Sequence, residues 1–162
     1  MLEVRTYPDP VLRKEAETVE EIDDSFLDFV DAMTEVMYKK DGAGLAANQV
    51  GILKRVIVVD AGESPIKIIN PEIVQQSEEK VSFEEGCLSV PYIRINLARP
   101  ISVVVTGRNL QNQPVEYRAE GLLARILQHE IDHLNGVLII DRASSIQRSL
   151  LKSKLKQLEK QV

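Results

Sequence analysis

The sequence predicts an α+β fold of one domain, residues 1–162, in which antiparallel β-sheets pack around a central helix, with further helices near the N- and C-terminal ends. Three observations predict it. Apolar residues recur at helical spacing over about 25–40, 120–135 and 144–162. Short apolar runs bounded by turn residues fill the middle of the chain. One run alternates, with Val115, Tyr117 and Ala119 set against Glu116, Arg118 and Glu120, as a strand with a single buried face does. A chain of 162 residues with 44% hydrophobic content is long enough to bury a core.

Taken in order, Pro8-Asp9-Pro10 is extended or turned, because proline disfavours the α region in the residue before it. From Ser25 to Lys40, Phe26, Phe29, Val30, Met33, Val36 and Met37 share a helix face that reads as core. Asp23 or Asp24 supplies its N-cap, and Lys39-Lys40 suit the negative end of the helix dipole. Asp41 to Gly51 fits neither helix nor strand. Two of its glycines, Gly42 and Gly44, one residue apart, allow close backbone approach, although by itself the stretch reads as a helix cap and tight turn. It lacks the Lys-Ser/Thr ending of a phosphate loop. Within it, Gln49 can offer an amide N–H to a developing oxyanion.

Residues 55–60 and 66–69 predict strands, the second ended by Asn70-Pro71, with a further short strand at 73–76. Residues 81–91 hold the single cysteine, Cys87, between Gly86 and Leu88. Residues 101–107 and 115–120 predict a hairpin around 109–113. The central helix follows, from Glu120 or Gly121 to Asn135, stopped by Gly136. The last helix, from Ser144 to 162, carries Ile146, Leu150, Leu151, Leu155 and Leu158 beside Arg148, Lys152, Lys154, Lys156 and Lys160.

Composition excludes several classes. No apolar run approaches membrane-spanning length. The N-terminal residues show neither a basic region followed by an apolar one nor the acid-poor character of a transit peptide, so a cytoplasmic protein is expected. A net charge of -5 gives no general case for nucleic-acid binding. One cysteine forbids an intrachain disulfide, and a lone cysteine in a reducing compartment is most often a small core residue.

The chemistry concentrates in Gln128-His129-Glu130-Ile131-Asp132-His133. At helical pitch His129 and His133 leave one face a turn apart and can reach one metal ion. Glu130, about 100° around from His129, then lies beside the open coordination position and not on the ion. Two imidazoles leave a divalent ion short of ligands, so a third must come from elsewhere. Leu122 and Ile126 share the histidine stripe and place an apolar surface beside the metal. Either histidine alone could be a satisfied core residue; burying both with Glu130, without metal or partners, would be costly.

With Gly42-Ala43-Gly44-Leu45-Ala46-Ala47-Asn48-Gln49, Glu85-Gly86-Cys87-Leu88-Ser89 and His129-Glu130-Ile131-Asp132-His133 in that order, the chain resembles the bacterial peptide deformylases. The likeness extends from Arg5-x-Tyr7-Pro8-Asp9-Pro10-x-Leu12-Arg13 through the terminal helix. It implies that the central helix is the metal-binding one and that Cys87 is the third ligand, as thiolate, with His129 and His133. Such a set leaves a net +1 on a divalent site. The resemblance implies Fe(II) in the cell, replaceable by Ni(II), Co(II) or Zn(II), where ligand type alone would favour zinc. It implies hydrolysis of the N-formyl group from the initiator methionine of nascent polypeptides, with release of formate. Glu130 would be the general base and acid, and Gln49 and the backbone N–H of Leu88 would hold the oxyanion.

For the substrate, the resemblance implies a methionine pocket lined by Leu122, Ile126, the His129 ring, Phe83 and Ala43, with Gly44 offering backbone hydrogen bonds and Arg94 at the cleft edge. Ala43 stands where Ile or Val is usual and Phe83 is larger than many counterparts, so the two are expected to compensate in volume. Arg125 stands where an apolar residue is common and reads first as a solvated surface arginine and, alternatively, as one reaching toward the substrate backbone. Asp132, Arg99 and Glu85 are expected to form a network orienting the helix against the cysteine segment. The basic face of the last helix reads first as solvated and, more sharply, as a ribosome contact. Rival readings are an ordinary His-Glu-x-x-His metallopeptidase and a ribosome-binding module without turnover. The upstream cysteine and the short chain count against the first; Glu130 and Gln49 count against the second.

Overall fold

The computed structural model describes residues 2–161. After a short 3-10 turn at Pro10–Arg13, helix α1 (Asp24–Lys39) opens with the Asp23 side chain accepting from the Phe26 N–H, the N-cap that a carboxylate at a helix start provides. Five strands make one antiparallel sheet in the order β1-β2-β3-β6-β7: β1 (Gly44–Ala46), β2 (Val56–Val59), β3 (Ile66–Gln76), β6 (Ser102–Arg108) and β7 (Pro114–Glu120). Strands β4 (Lys80–Cys87) and β5 (Val90–Pro100) form a separate antiparallel ribbon. Helices α2 (Gly121–Leu134), α3 (Ile139–Arg142) and α4 (Ser145–Lys160) complete the chain. No helix among the described residues is long and apolar enough to cross a membrane.

The period-2 geometry of a strand explains why β2 is apolar at every position. Ile57 and Val59 face α2, whose Ala124, Leu127, Ile131 and Leu134 join them in one core. Val56 and Val58 face the other way, onto Phe26, Val30, Met33 and Met37 of α1. The sheet therefore separates two cores, and α2 is central as expected. A third core seats the ribbon: Val90, Ile93, Ile95 and Leu97 of β5 pack with Ile139 and Ile140 of α3 and Leu158 of α4.

Several expectations need correction. Asn70-Pro71 does not end a strand: β3 runs through it as one element, its register against β6 shifting between Ile69 and Glu72. Asn70 takes a left-handed φ of 52°, and its side-chain amide is fixed by the backbone of Val19, donating to its carbonyl at 2.9 Å and accepting from its N–H at 2.8 Å. A turn-prone pair was thus absorbed as a bulge. The glycine segment is not a cap and turn alone but supplies the edge strand β1 and a 3-10 turn at Ala47–Val50. Strand β5 and the short α3 were not anticipated. Helix α4 begins as expected, with the Ser144 hydroxyl accepting from Gln147 N–H, and its Ile146 and Leu150 are exposed while Leu158 is buried. The expected last position of that helix, 162, lies outside the described residues.

A candidate metal centre in the cleft between helix and ribbon

Two elements from separate layers meet here. Helix α2 presents His129 and His133 one turn apart, with ring centroids 5.0 Å from each other. The β4–β5 ribbon presents Cys87 at its tight turn, where the register shifts between Gly86 and Cys87. The atoms of Cys87, His129 and His133 that could ligate a metal all lie within 4.8 Å of one another. Cys87 Sγ is 3.3 Å from His133 Nε2, close to the roughly 3.6 Å that separates sulfur and nitrogen bound to one tetrahedral ion. The donor set fits a single divalent metal.

The surroundings orient each donor. His129 Nδ1 lies 3.0 Å from Glu85 Oε1. A carboxylate only accepts, so Nδ1 carries the proton and Nε2 is left to ligate. Glu85, itself buried, also accepts from Arg99 Nε at 2.6 Å, Arg99 Nη2 at 3.0 Å and Arg125 Nη1 at 2.5 Å. Burial would raise its pKa, but the hydrogen bonds with His129 and Arg99 outweigh that and bring it down to about 2. Arg99 continues to Asp132 at 3.0 Å, and Arg142 closes the chain on Asp132 at 2.5 and 2.7 Å. The expected Asp132–Arg99–Glu85 network is present and ties α2 to the ribbon.

Arg125 is not the solvated arginine expected. It is 7% exposed, and besides Glu85 it donates to the carbonyls of Leu97 and Val81 at 3.0 and 2.6 Å. The ribbon lies across its position on α2, and the guanidinium bonds one carbonyl from each of its two strands. Nothing in the local sequence signalled this, because the contact depends on where an unanticipated strand crosses.

Glu130 is buried, and burial pushes its pKa up to about 7 against the pull of His129 and Arg99. Its Oε1 and the Nδ1 of His133 are buried without a hydrogen-bond partner among the described residues. A Cβ built on Gly44 would sit 2.5 Å from Glu130 Oε2, so only glycine lets the carboxylate lie against β1. Gln49 is 1% exposed; its Oε1 accepts from Ala46 N–H at 2.9 Å, which aims Nε2 at Ser89 Oγ (3.1 Å) and Cys87 Sγ (3.8 Å). Ser89, which holds that amide, was not singled out from the sequence; a serine in a turn gives no such signal.

These groups line a cleft of ≈ 540 Å³, to which Ala43, Gly44, Gln49, Phe83, Cys87, Leu88, Arg94, Leu122, Ile126, His129 and Glu130 all contribute. His133 lies behind them, 1% exposed. Phe83 and Leu122 are more than half exposed at its mouth, and Ile126 is buried deeper. The Arg125 guanidinium stands 5.6 Å over the Phe83 ring. Arg94 is at the edge, its exposed side chain 3.7 Å from Glu84.

Comparison with known proteins agrees with this constellation. Residues 1–149 match the polypeptide deformylase family model. A peptide deformylase from Thermodesulfovibrio yellowstonii is 48% identical over 161 residues, covering 96% of this chain and 97% of its own. The crystal structure of peptide deformylase from Thermotoga maritima superposes with a TM-score of 0.87 at 47% identity, over 89% of this chain and 98% of that one. That from Ehrlichia chaffeensis gives 0.92 at 39% identity, over 99% and 97%. Sequence, fold and the meeting of cysteine with paired histidines lead to one conclusion: this chain belongs to the polypeptide deformylase family, hydrolases that remove the N-formyl group from nascent peptides.

Proposed function

We propose that Glu130, Gln49 and the Leu88 backbone N–H carry out deformylation of N-formylmethionyl peptides in the cleft between α2 and the ribbon. The convergence of Cys87, His129 and His133 beside a Glu130 carboxylate whose buried Oε1 has no partner among the described residues is the observation that supports this most. Cys87, His129 and His133 would hold a divalent ion, which when bound would supply a Lewis acid able to polarise the formyl carbonyl and acidify water.

Glu130 removes a proton from the attacking water and returns it to the leaving amine nitrogen. The amide Nε2 of Gln49 donates to the oxygen that gains negative charge, and Leu88 N–H, from the turn after Cys87, is the second donor. The methionine side chain enters the apolar part of the cleft against Ile126, Leu122, Phe83 and Ala43. Gly44 and Arg94 hold the peptide backbone.

Resemblance favours Fe(II) in the cell, with Zn(II), Ni(II) or Co(II) as substitutes. The exposed apolar and basic face of α4 suits a ribosome contact, and the cytoplasm is where formylated nascent chains arise. For the test, protein purified anaerobically and assayed for metal releases formate from formyl-Met-Ala-Ser and leaves its peptide bonds whole. Glu130→Ala retains the metal and loses about 10²–10⁴-fold in kcat. Peptide-bond cleavage, or full activity in that variant, would refute the assignment.

A further inference from the structure

Tyr92 is the residue that the proposed chemistry leaves unexplained. It follows Pro91 early in β5 and is 86% exposed, the most exposed of the large hydrophobic side chains among the described residues. Its φ is 66°, in the left-handed region that bulky residues rarely occupy and that glycine adopts freely. Neither feature is rewarded by packing. Unfavourable backbone held in place by its neighbours, with the side chain in solvent, is a pattern that accompanies ligand contact.

Its location says which ligand. Tyr92 lines the cleft that holds Glu130 and Gln49, and it also lines an adjoining groove of ≈ 410 Å³ bounded by Pro91, Lys154 and Leu158. Tyr92 is therefore common to the lining of the reaction cleft and of a groove that reaches α4. A polypeptide held by its first residue in the cleft must leave along the rim. An extended chain advances about 3.3 Å per residue, so the residues next after the methionine are the ones that pass such a rim.

Resting on the deformylase reading above, we propose that Tyr92 is a specificity-determining residue. Its exposed ring packs against one of the two side chains that follow the formylated methionine, favouring aromatic and large aliphatic residues there over glycine. Aromatic pairing of this kind is worth about a fivefold preference. The left-handed backbone holds the ring out over the opening, where the turn after Cys87 would otherwise leave the rim bare.

The test uses metal-loaded protein and two peptide series, formyl-Met-Xaa-Ala and formyl-Met-Ala-Xaa, with Xaa as Phe, Leu or Gly, and formate release as the readout. The wild type shows a Phe-to-Gly ratio in kcat/KM of about five in one series. Tyr92→Gly collapses that ratio to near one, with a Tm no lower than the wild type because glycine accepts the backbone, and Tyr92→Phe preserves the ratio. A wild-type ratio near one in both series, or a ratio that survives in Tyr92→Gly, overturns the role of Tyr92 while deformylation stands. No formate from any peptide overturns the parent reading instead.

Discussion

The two faces of α2 differ in what they bury. One presents Ala124, Leu127, Ile131 and Leu134 to the sheet, where they pack with Ile57, Val59, Val103 and Val105. The other presents Ile126, His129 and His133 toward the cleft and the ribbon, where Glu85, Arg99 and Arg125 are buried as ions. The apolar face fixes the height and rotation of the helix over the sheet, and because the burial is non-directional it tolerates small errors. On the ionic face each charge is satisfied only in one geometry, so placement there is exact or costly. Stability and chemistry are thus assigned to opposite sides of a single element.

Substitutions can pull the two faces apart. The largest effect is expected at Glu85, the hub of the ionic face. Glu85→Ala strands two buried guanidiniums and releases His129, costing about 3–5 kcal/mol of stability and about 10–100-fold in metal affinity; urea melts and metal titration read these separately. On the apolar face, Leu127→Ala costs about 2–5 kcal/mol in the same melts, while kcat of the folded protein stays within a few-fold of the wild type.

Acid should act on the ionic face first. The folded pKa of Glu85, about 2, lies below its ordinary 4.5. Its contribution to stability is therefore complete above about pH 4.5 and is lost as pH falls from there toward 2. Tm measured over that range should fall more steeply for the wild type than for Glu85→Gln. The smallest effect concerns volume: Ala43→Ile crowds a pocket already holding Phe83 and raises KM for formyl-Met peptides about tenfold. An unchanged KM with no loss of stability would show that Ala43 and Phe83 do not compensate.

Much of this arrangement was legible because it is local. Helix α1 declared itself by its apolar period and Asp23 cap, the β6–β7 hairpin by alternation, and α2 by its stripe and Gly136 stop. Charge complementarity points from Asp132 to Arg99, with Glu85 as a candidate third member, and all three meet in the structure. Cys87 as the third ligand came through family likeness, since nothing in the spacing from residue 87 to 129 encodes proximity. Strand β5 could have been found: Ile93, Ile95, Leu97 and Arg99 alternate with Arg94, Asn96 and Ala98, but a buried arginine at the end of the inward row disguises the pattern. Arg125 and the continuation of β3 past Pro71 were out of reach, because a crossing ribbon decides one and the hold of Val19 on Asn70 the other.

The fixed amide of Gln49 carries a last consequence. With its oxygen committed to Ala46 N–H, the group cannot turn over without losing that bond, so the cleft always meets an N–H there and never a lone pair. An incoming oxygen that is bare or anionic is received, whereas a hydroxyl or amine whose hydrogen points the same way confronts another hydrogen. Molecules of one shape are thereby sorted by polarity alone, before size or length has any say.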